Sequence, residues 1–120
     1  MEEIIVRLKG LGIDFEKAEC TFEDTKAYVD AVREFFLSQD FMRLGQSVNR
    51  SQWQAAAMKA RKMSVRAKEL GVVGIERQMT GVRMNINSKN KEEALGLLSL
   101  VVQKRVKTVE FFQNIKRDER

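Results

Sequence analysis

An all-α fold, an antiparallel four-helix bundle with short additional amino-terminal helices, is predicted by three features of these 120 residues. Proline is absent, so the strongest helix breaker is missing at every position. Apolar residues recur at spacings of three and four through the second half of the chain. Short polar or glycine-containing stretches separate these runs, and helices joined in this way bury their apolar stripes by packing antiparallel.

The length suits one domain over residues 1–120, without room for two substantial cores. A hydrophobic fraction of 43% is enough to fill a bundle interior, which argues against global disorder. The longest apolar clusters, such as Leu97-Leu98-Ser99-Leu100-Val101-Val102, are too short to cross a bilayer, so no membrane insertion is expected. Met1-Glu2-Glu3 is unlike a basic signal-peptide leader. A lone Cys20 rules out an internal disulfide and makes a reducing cytoplasm the simplest setting. The net charge of +5 favours an acidic partner without specifying its class.

Taken in order, Glu2 to Lys9 is a short amphipathic helix with Ile4, Ile5 and Leu8 on one side, ended by Gly10-Leu11-Gly12. Asp14 caps a short helix reaching about Cys20. Thr21 and Asp24 resemble a capping box for a helix carrying Tyr28, Val29, Val32, Phe35 and Phe36 and ending near Ser38. A segment from Asp40 to Ser47 offers Phe41, Leu44 and Val48 to the core.

Ser51 and Gln54 form a second capping-box candidate, and no glycine interrupts the run from there to Leu70. Trp53, Ala56, Ala60, Met63, Ala67 and Leu70 fall on one face of a helix roughly 30 Å long. Its alanines imply close approach of neighbouring helices, with Trp53 and Leu70 filling the ends. After Gly71, a further helix presents Ile75, Met79, Val82 and Ile86. Asn85 to Asn90 reads as a turn, and Asn90 with Glu93 starts the last helix. Its inward stripe is expected at Leu95, Leu98, Val102, Val106, Val109 and Phe112, with a solvated, frayed end over Lys116-Arg117-Asp118-Glu119-Arg120.

Catalytic chemistry is not visible. The chain has no histidine, which excludes imidazole proton transfer, histidine metal ligation and phosphohistidine. Cys20 lacks a histidine to activate it and reads as a small, buried or semi-buried residue. Glu23-Asp24 and Glu92-Glu93 fall in first helical turns, where acids complement exposed backbone donors. Gly71-Val72-Val73-Gly74 lacks the Walker lysine and a preceding strand, so it marks a turn rather than a phosphate loop. Hence no catalytic residue, metal ligand or cofactor is assigned.

The basic residues Lys59, Arg61, Lys62, Arg66 and Lys68 admit two readings. They are a solvated outer face whose long side chains cover an alanine-rich helix, or a surface addressing an acidic partner. Nothing resembles a recognition-helix turn or a basic-aromatic platform, which argues against nucleic acid as that partner.

At this point the chain resembles a histidine-containing phosphotransfer domain, a small bundle that relays phosphoryl groups between response-regulator receivers in bacterial two-component signalling. The resemblance spans nearly the whole chain: Leu11-Gly12-Ile13-Asp14-Phe15-Glu16-Lys17-Ala18, the helix from Tyr28 to Phe36, and the two long central helices. Where the family reads Ala-His-x-Leu-Lys-Gly followed by Leu-Gly, this chain has Ala60-Arg61-Lys62-Met63-Ser64-Val65 followed by Leu70-Gly71. Arg61 stands at the phosphoaccepting histidine, Ser64 at the usual lysine and Val65 at the glycine. A guanidinium has no acceptor lone pair with which to take a phosphoryl group. The resemblance therefore implies a non-catalytic protein-interaction domain that binds a receiver, or a related signalling partner, without accepting phosphate. Arg61, Lys62, Ser64, Val65, Arg66 and Lys68 would form its partner-binding surface. The alternative is a structural or adaptor bundle unrelated to receiver binding.

Overall fold

The computed structural model describes residues 2–118, with side chains described through Ile115. Among these residues all the regular structure is helical: α1 (Glu2–Gly10), a 3-10 turn (Phe15–Lys17), α2 (Thr25–Leu37), α3 (Asp40–Asn49), α4 (Trp53–Leu70), α5 (Val73–Asn87) and α6 (Lys91–Asp118). α4 packs on α3 and α5, α5 packs on α6, and α6 returns to touch α3 as well as α2. α2 lies against α4 more loosely than α5 does. The expectation for Lys116–Arg120 falls on side chains outside the described residues.

Every stripe expected of α2, α3 and α5 is buried, including Tyr28, Phe36, Leu44, Val48, Met79 and Ile86. In α4, Ala56, Ala60, Met63, Ala67 and Leu70 are buried as expected, whereas Trp53 is only half-buried at the first turn. In α6 the inward line is offset by a residue or less from the expected one: it runs Ala94, Leu98, Val101, Arg105, Thr108, Phe112 and Ile115, in steps of four and three. Two of these are polar residues made compatible with the interior by bonds of their own. The Arg105 Nε donates to the Phe36 carbonyl at 2.8 Å, and its guanidinium lies 5.5 Å from the centre of the Phe41 ring. Thr108 donates its hydroxyl to the Lys104 carbonyl at 2.9 Å.

The helix starts follow local geometry more closely than motif matching. Asp24, not Thr21, caps α2, accepting the Ala27 N–H at 2.7 Å from extended backbone. Ser51 is left-handed, with φ 55°, so it cannot take the extended cap conformation, and Gln52 precedes α4 without a side-chain cap. Asn90 does cap α6, accepting the Glu93 N–H at 3.4 Å. The expected turn at Asn85–Asn90 is shorter, because α5 continues to Asn87 while Asn85 bonds back to the Gly81 carbonyl at 2.9 Å. The helix expected from Asp14 to Cys20 is reduced to one 3-10 turn.

That reduction has a visible cause at the end of α4. The last carbonyls of a helix have no partner within it. Here Cys20 N–H donates to Glu69 O at 3.0 Å, the Tyr28 hydroxyl to Leu70 O at 2.7 Å, and Asp14 N–H to Gly71 O at 2.8 Å. Asp14 and Cys20 thus spend their backbone donors on the end of α4, which confines the helix between them to a single turn. Tyr28 is fully buried, with the rings of Phe15 and Phe22 edge-on to it at 4.7 and 5.2 Å.

Burial, and secondarily the charge of Asp14, push the Tyr28 phenol well above its ordinary value. A raised folded pKa gives stability that is complete below the unfolded value of about 10 and is lost as pH rises beyond it. Tyr28→Phe should therefore cost about 1–3 kcal/mol at neutral pH, by stranding the Leu70 carbonyl. The same variant should lose less stability than the parent above pH ~10. Urea melts at several pH values check both; parallel alkaline slopes for parent and variant would refute the second.

Candidate protein-interaction surface

α4 is fixed on its inner side by Ala60, Met63 and Ala67, all buried, so its outer side chains stand on a rigid element. Five of its residues are basic and one, Glu69, is acidic. Arg61, midway along the helix, is exposed, as are Lys62, Val65 and Lys68, while Ser64 and Arg66 are half-exposed. Arg66 pairs with Glu69 at 3.4 Å and Lys68 with Glu19 at 3.6 Å. Arg61 and Lys62 make no ion pair among the described residues. Exposed pairs of this kind contribute little to stability, so their charges remain available to a partner.

Because α2 stands off from α4, a groove of about 610 Å³ opens between them. Arg61, Lys62, Val65 and Arg66 line it from α4, and Ala31, Glu34 and Phe35 from α2. Ser64 and Lys68 lie outside it, so four of the six residues expected at a partner surface share the groove and two do not. Its chemistry is mixed: Glu34 and Asp40 oppose the basic side chains across an apolar floor that includes Phe35 and Met63, and Glu69 stands on the basic side, paired with Arg66. Arg61 also borders a smaller hollow of about 210 Å³ on its other side, with Ala57, Met58, Arg83 and Asn87. It therefore stands on the ridge between two depressions.

Met58, Glu34, Asp40 and Arg83 are absent from the sequence-based site. Met58 had a legible signal: it falls off the buried stripe of α4, and it is 69% exposed. Together with Val65, 52% exposed, it puts apolar surface on either side of Arg61 along the helix. Glu34, Asp40 and Arg83 come from other helices, and no sequence spacing places them beside Arg61.

Cys20 is half-buried, and its thiol lies 3.5 Å from a Glu69 carboxylate oxygen. Partial burial, followed by that hydrogen bond and the Glu69 charge, raises its pKa. A thiol held protonated is a poor nucleophile. Glu92 and Glu93 lie in the first turn of α6 as expected, whereas Asp24 is the cap of α2 and Glu23 precedes it, outside the first turn. No group of three or more His, Cys, Asp or Glu among the described residues is placed to hold a metal ion. No helix among them is long and apolar enough to cross a membrane. In comparisons with known proteins, no family model, no curated protein and no solved structure matches this chain.

Proposed function

We propose that this chain is a non-catalytic interaction domain of the histidine-containing phosphotransfer type, which binds a response-regulator receiver or a related signalling partner without accepting phosphate. In this reading α3, α4, α5 and α6 are the antiparallel four-helix bundle, and α1, the 3-10 turn and α2 are its amino-terminal additions. The observation that carries it is Arg61: exposed at mid-helix, without an ion pair among the described residues, and flanked by exposed Met58 and Val65. A receiver's acidic pocket would meet a fixed cation where the family presents its imidazole, and apolar residues around it supply area to exclude water. The domain then acts by sequestering a receiver or stabilising one of its states, in the cytoplasm and without an enzymatic step.

Val65 favours a second reading, a structural or adaptor bundle that has left receiver binding behind. Its branched side chain projects where the family's glycine would let a receiver approach.

Calorimetric titration against the receivers of the organism encoding this chain, each with and without phosphorylation, tests the proposal. Binding of at least one receiver is expected, with intact-mass analysis finding no phosphate added to the chain. Failure to bind any receiver would favour the adaptor, and transfer of phosphate to another side chain would force a relay mechanism that this reading denies.

A further inference from the structure

α6 carries two apolar lines, and the bundle covers the second only at its ends, where Leu95 and Val109 pack against the core. One residue round from the buried line runs Leu95, Ser99, Val102, Val106 and Val109, in steps of four, three, four and three. Val102 is 40% and Val106 46% exposed, Ser99 is exposed, and Leu95 and Val109 are half-buried. α5 lies on the opposite flank of α6, where Leu97 sits against Gly81 and the Lys104 side chain against Gly74. Arg105, between the two flanks, is held by the Phe36 carbonyl and the Phe41 ring. The outer seam is left facing away from α5. Single exposed valines are ordinary, but Val102 and Val106 beside the small Ser99, continued by the half-buried Leu95 and Val109 at heptad spacing, form the kind of seam on which a second helix packs.

We propose that this seam is a self-association surface, on which α6 of one copy packs antiparallel against α6 of a second copy of this chain. The two-fold arrangement is chosen by charge. Setting Leu95 against Val106 of the second copy places Ser99, small enough for close approach, against Val102 at the centre. The same register sets Lys91 opposite Glu110 of the second copy, and symmetry repeats that pair at the other end. A parallel pairing would instead set Lys91 against Lys91 and Glu110 against Glu110. Lys91 is half-buried and Glu110 exposed, and neither has an ion pair among the described residues. One seam of this length falls below a standard interface, so the dimer is weak and concentration-dependent. It lies apart from the Arg61 surface, and does not depend on the function proposed for that surface.

Sedimentation of the full chain from about 10 µM to about 1 mM provides the test. The average mass should climb from that of the monomer towards twice that value. Val106→Lys should move the midpoint up by roughly tenfold or more, and Val102→Gln should act in the same direction, with circular dichroism melts verifying that both variants fold. Lys91→Glu alone should weaken the dimer several-fold, roughly threefold or more, and adding Glu110→Lys should restore it. A monomer at every concentration, a dimer indifferent to both valine substitutions, or failure of the double swap to restore association would overturn the proposal. Loss of the dimer on Arg61→Glu would also overturn it, by placing the contact on the other face.

Discussion

Replacing Gly71 with alanine is expected to destabilise the protein by about 2–6 kcal/mol, a large share of the stability of a domain of this size. Two independent costs add. Gly71 ends α4 in the left-handed region, with φ 71°, and any residue with a Cβ loses about 1–3 kcal/mol there. The second cost is steric. A Cβ on Gly71 would run into the Asp14 carbonyl oxygen and lie 2.8 Å from the Ala18 nitrogen. These are backbone atoms that cannot swing aside, so the segment would have to lift from α4, weakening the Asp14, Cys20 and Tyr28 hydrogen bonds to its last carbonyls. Overpacking of this kind costs about 1–3 kcal/mol. Gly10→Ala is the control, since a Cβ there meets nothing within 4 Å and the residue ends α1 without a positive φ. Urea midpoints for both variants settle the matter; equal midpoints would contradict the close approach at Gly71.

The same junction marks how far sequence reading reached. The glycine turn after Leu70 was legible, because a periodic helix followed by glycine signals a left-handed cap. What was not legible is that three residues remote in sequence satisfy α4's final carbonyls. A capping-box match predicts a helix start at Thr21, yet the fold begins α2 at Asp24's own cap and leaves Cys20, just before the expected start, bonded to Glu69.

In α6 the difficulty is different. Two heptad lines one residue apart both contain valine and leucine, and preferring the line richer in apolar residues selects Val102 and Val106 for the core. The structure turns inward the line containing Ala94, Arg105 and Thr108, with Arg105 half-buried, because Arg105 and Thr108 have hydrogen-bond partners and Ala94 lets the helix approach closely. Hydropathy assigns a cost to an arginine without knowledge of the carbonyl and ring that receive it.

The candidate surface divides along similar lines. Residues on one helix face were recoverable from α4 alone, so Arg61, Lys62, Val65 and Arg66 could be placed together by spacing. The same spacing puts Lys68 at the angular position of Arg61 and Val65, and motif position adds Ser64, yet the groove excludes both. Its acidic wall is built by Glu34 from α2 and Asp40 from α3, whose distance from α4 is a property of packing.

Charge reversal at Arg61 is expected to have the largest effect on partner binding of any single change on this surface. If a receiver's carboxylates meet the ridge, Arg61→Glu replaces attraction with repulsion and should weaken binding by roughly tenfold or more at low salt, about 1.4 kcal/mol. Arg61→Gln removes the attraction alone and should cost less, roughly threefold. Neither change should alter the urea midpoint by more than about 0.5 kcal/mol, because the side chain is exposed and makes no ion pair among the described residues. The gap between the two variants should narrow as salt rises, since screening shortens the reach of exposed charges. Lys68→Glu is the internal comparison: it reverses the same charge on the same helix, outside the groove and already beside Glu19. Calorimetry of the three variants with one bound receiver, together with amide shift mapping, measures the ordering. Equal losses for Arg61→Glu and Lys68→Glu would reduce the effect to net charge alone, and shifts confined to α6 would remove the receiver from this surface.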